Sequence, residues 1–299
     1  MTSIYRTAYP RFHTIQKLRM KELETDYSLT SAELLYIKQN IRGDSLRLGF
    51  AVLLKVFQRM GYFPTINSIP ETVVSHIREQ IPYIKKSTEF LYEHESSFNR
   101  HRRRVYEYLK IKHWGRDEDN SLNASNNQGR SHAIKVAYNA AQTMNFPADI
   151  INVVIEDLRK NKYELPAFNQ LSRLVKHVRF LVNQKIFRNI YHNLNPNQIG
   201  VLDALLEITP DYNRTGYNEL KQLPKKPTIS HFRELIKHHD WLMSMDGIEE
   251  CVADISKVKI QQFAEQARSL DASDLKNFSP VKRYALMVIL LLERHSVKQ

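Results

Sequence analysis

An all-α fold is what this sequence predicts: two or three compact helical modules with helix-turn-helix-like packing, joined by polar linkers. Three observations carry that expectation. Glycine is scarce, at 8 of 299 residues. The long apolar patterns return every three or four residues instead of alternating. Helix start and stop signals recur along the chain. With 42% hydrophobic and 25% charged residues the chain has the balance of a soluble globular protein, and it is long enough to bury a true core.

Thr30 with Glu33 three residues on is a capping box, and the helix it opens is expected to bury Leu34, Leu35, Ile37 and Ile41. Arg42, Gly43 and Asp44 make a turn. Residues 45–60 are strongly apolar, and Gly61 is suited to end a helix in the left-handed conformation. Pro70 opens another helix with Val73, Val74, Ile77 and Ile81 inward, and residues 98–109 follow the same period. Residues 1–114 therefore read as one helical domain. Residues 115–130 are polar and Asn-rich, a linker. Helical patterns resume at 131–144, 147–160 and 168–194, and Asn195-Pro196 caps a further helix reaching Glu207, giving a second domain at 131–208. A linker at 209–228 carries Pro210, Gly216, Pro224 and Pro227. The segment 229–299 holds expected helices at 230–243, 257–270 and 280–294.

The last of these is apolar around its whole circumference from Tyr284 to Leu292, so it needs protein on every side. Either earlier helices surround it, or its neighbours lie in sequence beyond these 299 residues and the chain is a fragment. The run is too short to span a bilayer.

Lys and Arg total 44 against 32 Asp and Glu, a net charge of +12. Such an excess attracts polyanions over long range. Nucleic acid fits directly, whereas an anionic membrane surface calls for a basic amphipathic helix or a lipidation signal. Residues 1–14 lack the apolar stretch of a signal peptide. The single cysteine, Cys251, excludes an internal disulfide and a multi-cysteine zinc site and suits a reducing cytoplasm.

Enzyme constellations are missing from the sequence: no Gly-rich phosphate loop, no G-x-S-x-G elbow, no H-E-x-x-H pair. His238, His239 and Asp240 are consecutive and so point in different directions on a helix. Asp117, Glu118 and Asp119 lie in the polar linker as a solvated charge run. Cys251 reads as a packing or surface residue. No catalytic residue, metal or cofactor is expected.

The basic segments say more. Arg100, Arg102, Arg103, Arg104, Lys110, Lys112 and Arg116 stand between positions 98 and 116 against one acid, Glu107, with Tyr106, Tyr108, His113 and Trp114 interleaved. Guanidinium forks at this density suit phosphate contact; the competing reading is a solvated helix face. A second basic stretch, 159–188, holds eight cations against Glu164. On its long helix Leu171, Leu174, Val175, Val178, Leu181 and Val182 form an apolar face. Arg173, Lys176, His177, Gln184 and Arg188 fall on the opposite side, a face for DNA or simply for solvent. Phe180 and Phe187 fall in that polar arc too, which points to partial cover by another helix.

Several blocks, in order, resemble the front part of Tn-three-family transposases, the enzymes of class II replicative transposons. They are Tyr27 to Glu33, Leu48-Gly-Phe-Ala-Val-Leu-Leu54, Gly61-Tyr-Phe-Pro64, Ile69 to Val74, the Arg-rich run into Tyr106-Glu-Tyr-Leu109, Glu164-Leu-Pro166, Asp271 to Asn277, and Lys282-Arg-Tyr-Ala-Leu286. The resemblance implies a bacterial, cytoplasmic and nucleoid-associated protein that recognises terminal inverted repeats in double-stranded DNA. In the family a C-terminal RNase-H-like domain with three metal-binding carboxylates cuts DNA, and this chain is expected to stop before it. The alternative is a helical scaffold that pairs with a separately encoded catalytic chain. Full-length transposase is a further expected partner; a membrane is not. No matched motif designates base-reading residues, so the DNA-contact candidates rest on charge: Arg100, Arg102, Arg103, Arg104, Lys110, Lys112, Arg173, Lys176 and Arg188.

Overall fold

A computed structural model describes residues 2–12, 20–115, 128–209, 214–221 and 249–296. The expected helix at 230–243, the His238–His239–Asp240 run and the acids at 117–119 lie outside the described residues. Within them the fold is all-α. The strand content is one antiparallel ladder of two residues a side, Ile208–Thr209 with Arg214–Thr215. Two compact units emerge from the packing: Met1–Val136 with Ile151–Leu174, and Ala137–Ile150 with Val175–Gln299.

The first unit is arranged around one helix. Its early elements are α1 (Met20–Asp26), α2 (Ser31–Asn40), α3 (Asp44–Met60), α4 (Glu71–Glu79) and α5 (Glu95–Leu109). From Leu48 to Phe57 every residue of α3 is buried, and α2, α4 and α5 pack against it. Gly61 ends α3 at φ 77°, a conformation that costs L side chains energy and glycine little. Val73, Val74, Ile77 and Ile81 close one side of the core as their spacing predicts.

α2 corrects the sequence reading. The capping box is present, with Thr30 Oγ1 accepting from the Glu33 N–H and Glu33 accepting from the Thr30 N–H. Ile37 and Ile41 are buried, but Leu35 is 55% exposed. The inward place belongs to Glu33, whose carboxylate meets Lys55 Nζ at 3.4 Å and the Gln58 amide at 2.8 Å. Burial works to raise the Glu33 carboxyl, yet the Thr30 N–H, Gln58 and Lys55 together hold it below the ordinary carboxylate range. A capping residue thus doubles as a buried ion-pair partner, which apolar spacing does not reveal.

The second unit has a comparable centre. Its later elements are α9 (Pro196–Ala204), α10 (Gly216–Leu220), α11 (Lys257–Arg268), α12 (Ala272–Lys276) and α13 (Pro280–Ser296). From Ala285 to Leu291 every residue of α13 is wholly buried, with α9, α10 and α11 against it and Phe187 and Ile190 in the same core. Arg283 donates to the carbonyls of Leu275, Lys276 and Phe278, satisfying acceptors that the end of α12 leaves open. Of the two expectations for the apolar terminal helix, earlier elements surround it.

Three helices remain: α6 (Gln128–Ala141), α7 (Pro147–Lys160) and α8 (Phe168–His192). Each contributes residues to both units.

His101 on α5 is buried and shares a 2.6 Å hydrogen bond with the Tyr92 hydroxyl. Burial first, then the charges of Arg100 and Arg104, lower its pKa to about 4. The unfolded chain therefore takes up this proton first as pH falls, and the stability it provides at pH 7 is lost between about pH 6.5 and 4. Between pH 7 and 5 the loss is about 2 kcal/mol. Denaturant unfolding at the two pH values should show a difference smaller by that amount in His101→Gln than in the parent protein.

Candidate nucleic-acid interface

α5 carries its charges on the side away from α3. His101, Val105 and Tyr106 point into the unit, while Arg100, Arg103, Glu107 and Lys110 are exposed. Their spacing of three, four and three places them in one stripe. Lys110 ends the helix in the left-handed region at φ 55°. Two residues later Lys112 forms a parallel bridge with the segment after α7: its N–H donates to Lys162 O at 2.8 Å, and the Glu164 N–H donates to Lys112 O at 2.9 Å. Lys162, at φ 57°, is thereby brought beside Lys112, a juxtaposition across fifty residues that sequence spacing gave no means to find. The Lys112 ammonium lies 5.0 Å from the centre of the Tyr163 ring. Lys110, Lys112 and Lys162 are all exposed.

Two of the four arginines have work inside the fold. Arg102 is half-buried, its guanidinium 5.1 Å from the Phe63 ring centre and 5.7 Å from that of Phe98. Arg104 donates to the Asn40 carbonyl at 2.9 Å, the open end of α2. Arg100 and Arg103 face solvent.

On α8, Arg173 lies in the first unit and Lys176 and Arg188 in the second; all three are exposed. The apolar face needs correcting. Leu171, Val175, Val178 and Val182 are buried and Leu174 is half-buried, but Leu181 is 47% exposed. Phe187, which the helical wheel puts in the polar arc, is buried, and Phe180 is 58% exposed. The second unit thus presents Lys176, His177, Phe180, Leu181, Lys185 and Arg188 on the outer side of α8, with the Lys185 ammonium donating to the Tyr138 hydroxyl at 3.1 Å. Arg179 of the same helix is half-buried, and burial lowers its pKa.

Among the described residues no group of three or more His, Cys, Asp or Glu could hold a metal ion. Cys251 is buried, and burial raises its thiol pKa, which suits packing. No helix among the described residues is long and apolar enough to cross a membrane.

The arrangement is one of exposed cations on helices. Residues 1–178 match the family described as "Domain of unknown function (DUF4158)". The chain belongs to this family. It is also 25% identical over 268 residues to the transposase for transposon Tn501 of Pseudomonas aeruginosa, covering 89% of this chain and 26% of that protein. The transposase for transposon Tn1546 of Enterococcus faecium is 24% identical over 274 residues, 91% of this chain and 26% of its own length. With the transposase for transposon Tn21 of Escherichia coli the identity is 29% over 147 residues, 48% of this chain and 15% of that one. The chain thus spans about a quarter of the length of the first two, and the resemblance to the N-terminal region of these transposases holds across it. The α5 stripe, the lysine bridge and the first turns of α8 all fall inside the DUF4158 match.

The two kinds of arginine on α5 are separable. If DNA lies along this stripe, Arg103→Ala should leave the unfolding free energy within about 0.5 kcal/mol and flatten the salt dependence of binding by about 0.9 in the log–log slope. Arg104→Ala should cost about 1 kcal/mol of stability by releasing the Asn40 carbonyl, and binding by the folded fraction should keep most of its salt slope. Denaturant melts paired with a salt titration of binding read both.

Proposed function

We propose that this chain is the DNA-holding part of a transposase, recognising the terminal inverted repeats of its transposon, with strand cleavage left to the remainder of the enzyme. The observation that carries the reading is the exposed basic surface of α5 and the lysine bridge, in a chain similar to transposases over about nine-tenths of its length. Arg100, Arg103, Lys110 and Lys112, joined by Lys162, contact phosphates and fix the register. Arg102 and Arg104, anchored at one end, add positive field more than direct contact.

Among the described residues the positive-φ positions other than glycine are Lys110 and Lys162, both at this bridge. Each closes a helix end, the Ile111 N–H returning to Tyr106 O and the Tyr163 N–H to Leu158 O, and the left-handed turns lead both chains into the bridge. In the second unit Arg188 and Lys176, with Arg173 preceding them on α8, supply further backbone contacts. Phe180 and Leu181 offer apolar surface of the kind that meets a thymine methyl.

The scaffold alternative drew on an uncovered apolar terminal helix. α13 is covered by its own unit, so no observation now favours that reading.

The test is binding to a duplex carrying the inverted repeat of the encoding element and to a scrambled duplex, across a salt series. With about six phosphate contacts the log–log slope should lie near −5, and the repeat should bind at least about a hundredfold tighter than the scrambled duplex. Equal affinity for both would reduce the chain to a nonspecific basic surface. No binding at moderate salt would overturn the proposal.

A further inference from the structure

Two sequence blocks singled out above, Gly61 to Pro64 and Glu164 to Pro166, are a hundred residues apart, and the basic stripe uses neither. The fold joins them: the Leu165 N–H donates to Gly61 O at 2.8 Å. An open pocket of about 470 Å³ lies where they meet, within the first unit. Tyr62, Phe63, Thr65, Trp114, Glu164 and Phe168 are among the residues lining it.

Five aromatic residues, Tyr9, Tyr62, Phe63, Trp114 and Phe168, are part of its wall. Tyr62, Phe63 and Phe168 are half-buried, presenting part of their surface to the opening, and Trp114 is buried behind. One strong acceptor stands among them. Glu164 Oε1 takes the Tyr106 hydroxyl at 2.6 Å, which fixes the carboxylate, while Oε2 lies 3.8 Å from His113 Nδ1, beyond hydrogen-bond reach. Cations adjoin two of the lining residues: Arg102 covers Phe63, and the Lys112 backbone is bonded to that of Glu164.

We infer that this pocket receives a single unpaired nucleobase bearing an exocyclic amine, drawn from the DNA strand held by the α5 stripe. The inference rests on the DNA-binding reading above. Each part of the site matches a part of that ligand. The rings offer stacking surface, which recognises the face of any base. The carboxylate's second oxygen accepts from the exocyclic amine of adenine, cytosine or guanine, whereas thymine has no amine and offers only its N3–H. Lys112, exposed next to Glu164, meets the phosphate of the same nucleotide, and Arg102 adds positive field. Enzymes that read single bases combine stacking between rings with hydrogen bonds to a base edge in this manner. A paired base is inaccessible to such a pocket, so the site acts on a base already out of the stack or easily drawn from it.

The test uses the whole chain and three short duplexes of otherwise equal sequence: fully paired, with one extrahelical 2-aminopurine, and with one extrahelical thymine. The 2-aminopurine duplex should bind about tenfold tighter than the paired one, with its fluorescence quenched by stacking; the thymine duplex should gain less. Thr65 is exposed at the mouth, so Thr65→Trp fills the opening without cutting into the core. It should abolish the gain while leaving paired-duplex affinity unchanged. Glu164→Gln, which can still accept from Tyr106, should narrow the difference between 2-aminopurine and thymine. Equal affinity for the three duplexes, or a gain that survives Thr65→Trp, would overturn the pocket proposal while the DNA-binding reading stands. Failure to bind any of the three would overturn both.

Discussion

Two helices buried around their circumference, α3 from Leu48 to Phe57 and α13 from Ala285 to Leu291, impose the rest of this structure. α3 and α13 cannot be left half in water, since each large apolar side chain on them contributes roughly 1.5–3 kcal/mol only when it is covered. Each therefore requires neighbours around its circumference. α2, α4 and α5 answer that need in one unit, and α9, α10 and α11 in the other. The neighbours spend their apolar faces on the central helix, which leaves their other faces polar. The exposed arginines of α5 follow from this geometry: His101, Val105 and Tyr106 occupy its inner side, so charge has only the outer side to occupy.

Two polar groups drawn into the first unit are held by specific partners. Glu33 closes a helix cap and an ion pair at once, and His101 is kept neutral against the Tyr92 hydroxyl. The same logic divides the arginines. Arg102 and Arg104 meet rings and a carbonyl and so belong partly to the fold, whereas Arg100 and Arg103 have their surroundings in solvent. A dense basic run in a sequence thus contains two populations, and contacts from other elements decide which residue belongs to which. The lysine bridge brings positive charge from the far end of α7 to the end of α5, enlarging a surface that begins as one helical stripe.

Much of this was legible in the sequence because the strongest signals are local. The Thr30–Glu33 box, Gly61 after an apolar run, and Asn195-Pro196 each fix a helix end through contacts within a few residues, and the structure has all three. What escaped is non-local. Leu35, Phe180 and Leu181 are apolar residues left outside, because the cover available at each point, not the helical wheel, decides burial. The pairing of Lys112 with Lys162, and the meeting of Gly61 with Leu165, depend on how a distant segment returns. The enclosure of α13 was left open between two outcomes for the same reason: an apolar helix declares that it must be covered without declaring by what.

DNA held along the α5 stripe and the lysine bridge would shield the lysines there from solvent reagents. Acetylation footprinting of the lysines, with and without an inverted-repeat duplex at moderate salt, tests it most directly. Lys110, Lys112 and Lys162 should lose reactivity together on DNA binding, with Lys176 following, while exposed Lys38 and Lys257 keep theirs. Protection absent from the first three, or confined to lysines elsewhere while DNA is bound, would contradict the account.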